Sequence, residues 1–125
     1  MEVTRPSVLV VDSHLDTLSM LTRLLRKYDT DAATSVSEAM SAVERKHYDL
    51  LLTENRLPDE SGLSLCSKLR KLEPETDVIF FSAAAYAVDK ENGLRAGALD
   101  YISKPDVEGL LAAIDRAVES REMPC

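Results

Sequence analysis

Tryptophan is absent, aromatics make up 5% of the 125 residues, and there are only four glycines, five prolines and two cysteines. Cys66 falls inside a helical pattern and Cys125 is the last residue. Two such cysteines make no disulfide framework, which points to a reducing cytoplasm. Basic residues are the scarcer charge, 15 Lys and Arg against 22 Asp and Glu, for a net −7. A surface that neutralises phosphates needs a Lys/Arg face, so nucleic acid is not an expected partner. Docking to an anionic membrane is disfavoured for the same reason. No apolar run approaches a membrane span, and Met1-Glu2-Val3-Thr4-Arg5-Pro6 lacks the apolar stretch of a signal peptide. No internal repeat or low-complexity segment is found. What is present, 45% apolar and 30% charged residues, has the balance of a globular chain. The length suits one domain spanning 1–125, with a core of about residues 7–120 and loose tails at Met1 to Pro6 and Arg121 to Cys125.

Three short runs are apolar at every position. Val8-Leu9-Val10-Val11 is closed by Asp12, Leu50-Leu51-Leu52-Thr53 by Glu54, and Val78-Ile79-Phe80-Phe81 by Ser82. Such runs predict strands buried on both faces, as in a parallel sheet covered by helices. Ala32-Ala33-Thr34 and Tyr101-Ile102-Ser103 are shorter candidates, placed nearer the sheet edges. Between them lie helical patterns. Leu18, Leu21, Leu25 and Tyr28 make one stripe, with Asp16 as its cap. Ser35-Val36-Ser37-Glu38 has the spacing of a capping box ahead of Ala39, Met40, Val43 and Tyr48. Ser61-Gly62 opens a third helix that Pro74 stops. The segment from Tyr86 to Ala96 is a poorer helix, with Gly93 inside it and Gly97 at its end, and the two glycines make it easy to shift. Asp106 caps a last helix carrying Val107, Leu110, Leu111, Ile114 and Val118.

The order is βα five times, which predicts an α/β fold: a doubly wound three-layer sandwich around a five-stranded parallel sheet. In such sheets the working crevice lies beyond the carboxyl ends of the strands. That rule gathers Asp12, Glu54, Ser82 and Lys104 at one edge.

The chain resembles the receiver domains of two-component response regulators, the CheY-like, flavodoxin-like fold. The resemblance covers roughly Ser7 to Ser120. It is carried by Val8 to Asp12, Asp49 to Pro58, Ser61-Gly62-Leu63, Val78 to Ala83 and Ala96 to Pro105, in that order. In that family an Asp after strand three takes a phosphoryl group from a histidine kinase. An acidic pair after strand one holds Mg²⁺ beside it. A Ser/Thr and a Lys after strands four and five bind the phosphoryl oxygens, and the Lys-Pro bond is commonly cis. The resemblance implies that Ser82 and Tyr101 form a switch pair, in which the ring follows the hydroxyl inward.

Two decisive positions depart from the pattern. Glu54 stands at the acceptor position, and Ser13 replaces the second acid of the pair. Only Asp12 of that acidic pocket remains. Glu is one methylene longer than Asp, about 1.5 Å of extra reach. A misplacement near 1 Å costs on the order of 100-fold in catalysis. The longer side chain points toward where phosphoryl oxygens would sit, so Glu54 is expected to reach Lys104 and Ser82 and imitate the phosphorylated carboxylate. The competing expectation is a decayed pocket with Glu54 in solvent. With one carboxylate fewer, the need for Mg²⁺ falls. No cofactor or metal is expected. The oxygen donors left to a cation are Asp12, Glu54 and the main-chain carbonyl of Asn55.

Ser13 is an alternative cap for the first helix, His14 lies beside the pocket as a donor or an idle loop residue, and Asp59-Glu60 is a loop acid pair. The expected function is a phosphorelay signalling module acting by protein–protein interaction rather than as an enzyme. The alternatives are a conventional receiver with residual phosphorylation or Mg²⁺ binding, and a hydrolase using Ser82 and Lys104. The hydrolase lacks a third orienting group and an oxyanion loop of glycines. Expected partners are another signalling protein or an output domain in a longer chain. The resemblance adds a homodimer through the fourth helix, fifth strand and fifth helix. Ala112 and Ala113 in the middle of that last helix offer no Arg for charged pairs across it.

Overall fold

The computed structural model describes residues 5–122. Five strands and five helices alternate: β1 (Ser7–Val11), α1 (Leu15–Leu24), β2 (Asp29–Ala33), α2 (Val36–Arg45), β3 (Leu50–Thr53), α3 (Gly62–Leu72), β4 (Asp77–Ser82), α4 (Ala87–Arg95), β5 (Asp100–Ser103) and α5 (Val107–Glu122). The strands are all parallel in the order β2-β1-β3-β4-β5. The strand order reverses direction between β1 and β3, which sets the crevice where Asp12 and Glu54 emerge.

Successive strand side chains point to opposite faces, so an all-apolar run feeds two cores at once. Val8, Val10, Leu50, Leu52, Ile79 and Phe81 pack on α1 and α5. Leu9, Val11, Leu51, Val78 and Phe80 pack on the other side with α2 and α3. Each fully buried Leu, Ile or Phe contributes about 1.5–3 kcal/mol. Cys66 is wholly buried in the second core, and burial pushes its thiol pKa up.

The two outer strands are the candidates expected at the edges, but β2 starts three residues before Ala32. Its first residues are charged: Asp29 and Asp31 face Lys46 at 2.9 and 3.1 Å, and Tyr48 Oη donates to Asp31 at 2.6 Å.

Several helix ends differ from expectation. His14, not Asp16 or Ser13, is the residue ahead of α1, and its side chain makes no cap bond. Ser35 Oγ accepts the Glu38 amide at 3.1 Å, but the Glu38 carboxylate bonds Thr34 rather than closing the box on Ser35. Asp106 caps α5 as expected, accepting the Gly109 amide at 2.9 Å. The residues where the expected tails join the core make contacts with it. Pro6 O accepts the Asp29 amide, and Arg121 reaches Glu75 O at 2.7 Å and Asp77 at 3.2 Å. Residues 1–4 and 123–125, with Cys125, lie outside the described residues.

Candidate functional site

Asp12, Glu54 and Ser82 stand where β1, β3 and β4 end, and all three are buried. Their backbones extend the sheet. The Asp12 amide bonds Ala33 O at 3.1 Å, the Glu54 amide Val11 O at 3.0 Å, and the Lys104 amide Ser82 O at 3.0 Å. A cis peptide joins Lys104 to Pro105.

The two oxygens of Glu54 are divided. Oε1 accepts the Ser82 hydroxyl and the Asn55 amide, the latter at 2.7 Å. Oε2 meets Lys104 Nζ at 2.8 Å. The same ammonium donates to Asp12 Oδ2 at 2.9 Å. Lys104 is 18% exposed at its side chain, so the three charges interact in a medium well short of bulk water. Burial works to lower the Lys104 pKa; hydrogen bonds and charges from Glu54 and Asp12 outweigh it, and the net shift is upward. Glu54 therefore does not point to solvent, and it meets both Ser82 and Lys104.

Asp12 Oδ1 is also engaged. It accepts the His14 amide at 2.9 Å, an Asx turn, and lies 3.2 Å from His14 Nδ1. The His14 main-chain amide thus donates to the pocket, while its ring, largely exposed, lies beside the same oxygen. The sequence signal was the Asp two residues ahead of it. Ser13 stands exposed. No hydrogen bond from its side chain is found among the described residues.

Mg²⁺ takes oxygen ligands in near-octahedral geometry, usually one or two carboxylates with waters and phosphate oxygens. Here the facing oxygens of both carboxylates hold internal donors, position 13 brings no acid, and the Asn55 main-chain carbonyl accepts the Gly62 amide at 2.7 Å. This donor set does not fit Mg²⁺.

Beyond the carboxylates, Ser82 Oγ accepts the Ala84 amide at 3.0 Å, and the Tyr101 hydroxyl donates to Ala84 O. Tyr101 lies inward, buried and stacked on Phe80, with centroids 4.9 Å apart. Burial raises its pKa. Asn55 Nδ2 lies 3.5 Å from the Tyr101 hydroxyl. The hydrogen-bond chain Glu54–Ser82–Ala84–Tyr101, which runs through the Ala84 main chain, thus links the pocket to β5.

Two residues escaped sequence reasoning. Asp59, expected to be a plain loop acid, accepts the Val36 and Ser37 amides at 3.0 and 2.9 Å and so caps α2 from a distant loop. The Ser37 and Val36 amides hold its carboxyl below the usual range. Arg116, three residues past Ala113, is the base that faces β5, 3.5 Å from Asp100. Ala113 itself is buried.

Among the described residues no helix is long and apolar enough to cross a membrane. The chain is 36% identical over 105 residues to the response regulator protein PilR of Pseudomonas aeruginosa, covering 82% of this chain and 24% of PilR. It is 36% identical over 121 residues to the transcriptional regulatory protein PrrA of Mycobacterium tuberculosis, covering 95% of this chain and 52% of PrrA. It therefore spans about half or less of these curated relatives. A two-component response regulator from Clostridium difficile shares the fold with TM-score 0.90 at 24% identity, covering 95% of this chain and all of that one. Residues 8–115 match the response regulator receiver domain family, and with that match and these relatives the chain belongs to it.

Proposed function

We propose that this receiver signals without phosphorylation at position 54, with Glu54 standing in for a phosphorylated carboxylate. The observation that carries the reading is the division of one carboxylate between the Ser82 hydroxyl and the Lys104 ammonium. Those two groups are the ones that bind phosphoryl oxygens in the family. The inward ring of Tyr101 agrees with it. A carboxylate has less charge and fewer acceptor oxygens than an acyl phosphate, so the imitation is partial. Lys104 with a raised pKa is an ammonium bound by two acids, which suits a charge clamp and not the base of a hydrolase.

On this reading the chain is one receiver unit working in the cytoplasm through protein contacts. Its partner is another signalling protein or an output domain of a longer chain. A second copy bound through α4, β5 and α5 belongs to the same proposal.

The test is an NMR titration of the chain with Mg²⁺ and beryllofluoride, followed by acetyl phosphate. Amides around residue 54 should stay in place throughout. Saturable shifts there, or a phosphorylated chain by mass, would overturn the reading in favour of a conventional receiver.

A further inference from the structure

Gly93 is the one buried residue of α4; the other eight residues of this helix lie nearer solvent. A helix that buries a glycine and little else has almost no apolar stripe to hold it on the sheet. What Gly93 touches therefore decides where α4 rests. A Cβ placed on Gly93 would lie 2.6 Å from Tyr101 Cδ2 and 3.1 Å from Cε2, and 3.5 Å from Phe80 Cδ1. The first two distances are inside van der Waals contact, and the third is an ordinary contact. The ring is thus the obstacle, and it has nowhere to retreat inward because its face is stacked on Phe80 at a 10° interplanar angle.

Gly93 has no positive φ to explain it, and glycine inside a helix is unfavourable relative to alanine. The missing methyl has a steric use instead.

We infer that Gly93 is the positioning residue for Tyr101: it makes room for the inward ring and seats α4 on that ring. The hydroxyl bonds to Ala84 then select among positions that Gly93 has made available. The inference rests on the reading above for what the inward ring signals, but not for where the ring lies. It turns Tyr101 into a contact through which the pocket and α4 share one geometry. The ring edge meets the helix backbone on one side, and the hydroxyl meets the loop leaving Ser82 on the other.

The test uses the whole chain with ¹³C-labelled tyrosine rings, the Tyr101 signals being assigned by their loss in Tyr101→Val. In Gly93→Ala these signals should leave their stacking-shifted positions for those of an exposed tyrosine, and the α4 amides should move with them. Thermal midpoints supply the second measurement. Gly93→Ala should lower the midpoint when Tyr101 is present. In the Tyr101→Val background it should raise it, because the obstacle is gone and alanine is the better helix former. Unmoved Tyr101 signals, or an equal loss of midpoint in both backgrounds, would overturn the inference. If Gly93→Ala alone does not fold, the double variant decides: a folded double variant supports the inference and an unfolded one refutes it. Glu54→Gln separates this from the phosphate-independent reading. A ring that stays inward in Glu54→Gln yet leaves in Gly93→Ala upholds Gly93 while removing the link to Glu54.

Discussion

Glu54 Oε2 lies 2.8 Å from the Lys104 ammonium, while Oε1 of the same side chain accepts the Ser82 hydroxyl. One carboxylate bridges the ends of β4 and β5. Replacing it with an amide leaves Lys104 with Asp12 as its one remaining carboxylate. Hydrogen bonds to charged groups contribute about 1.5–3 kcal/mol each. Glu54→Gln should therefore lower the unfolding free energy by an amount in that range, read as a lower urea midpoint at an unchanged m-value. Partner binding should weaken with it. A midpoint equal to that of the wild type would mean that the bridge contributes nothing in solution.

Metal binding should be recoverable. Glu54→Asp shortens the side chain and frees Lys104 from the bridge, and Ser13→Asp restores the second acid. We expect the double variant to bind Mg²⁺ saturably by NMR, Glu54→Asp alone to bind more weakly, and the wild type to show no shifts. Equal Mg²⁺ affinity in all three chains would show that neither departure governs the site.

Alkaline pH should destabilise the chain in a defined window. Burial, then the hydrogen bond to Asp31, pushes the Tyr48 pKa from 10.0 up to about 12. The folded pKa exceeds the unfolded one, so the folded state holds the proton longer. The contribution is complete below pH 10 and is lost as pH rises toward about 12. Tyr28 and Tyr101 are raised as well, chiefly by burial, and act in the same direction. Unfolding free energy measured against pH should fall across that window, and Tyr48→Phe should flatten the slope. An unaltered slope would assign the loss to other groups.

Gly62→Ala tests the close approach of α3 to the site. An added Cβ would collide with the Glu54 carbonyl oxygen and would lie 2.9 Å from Phe80 Cε2 and 3.0 Å from Asn55 Cα. Backbone atoms cannot swing aside as a flexible side chain can. Overpacking of this kind costs about 1–3 kcal/mol. Calorimetry should show a lowered thermal midpoint, with amide shifts centred on residues 54 and 55. A midpoint at or above the wild-type value would mean that the backbone yields there at no cost.

The sheet was legible because three strands are buried on both faces, and nothing but a run of apolar residues satisfies two cores. The site followed from it, since Asp12, Glu54, Ser82 and Lys104 are where those strands and β5 run out. For Glu54 one extra methylene left two directions open, toward Lys104 and Ser82 or out to solvent, because side-chain length alone does not choose between them. What stayed hidden depends on long-range partners. The β2 boundary was misjudged because Asp29 and Asp31 serve Lys46 and Tyr48 instead of a core. Asp59 caps a helix that starts 23 residues earlier, and no local spacing reports that. Gly93 read as a weak point of α4, whereas its Cβ-less backbone is shaped to a ring eight residues later.

The amides of Asp12, Glu54 and Lys104 each bond the last carbonyl of a neighbouring strand. The pocket is therefore built on rungs of the sheet and not on free loops. Its timescale follows from that. Deuterium should enter these three amides at the rate of the central strands, through openings near the global unfolding energy. A partner would then meet charges carried on backbone that opens only when the folded sheet opens.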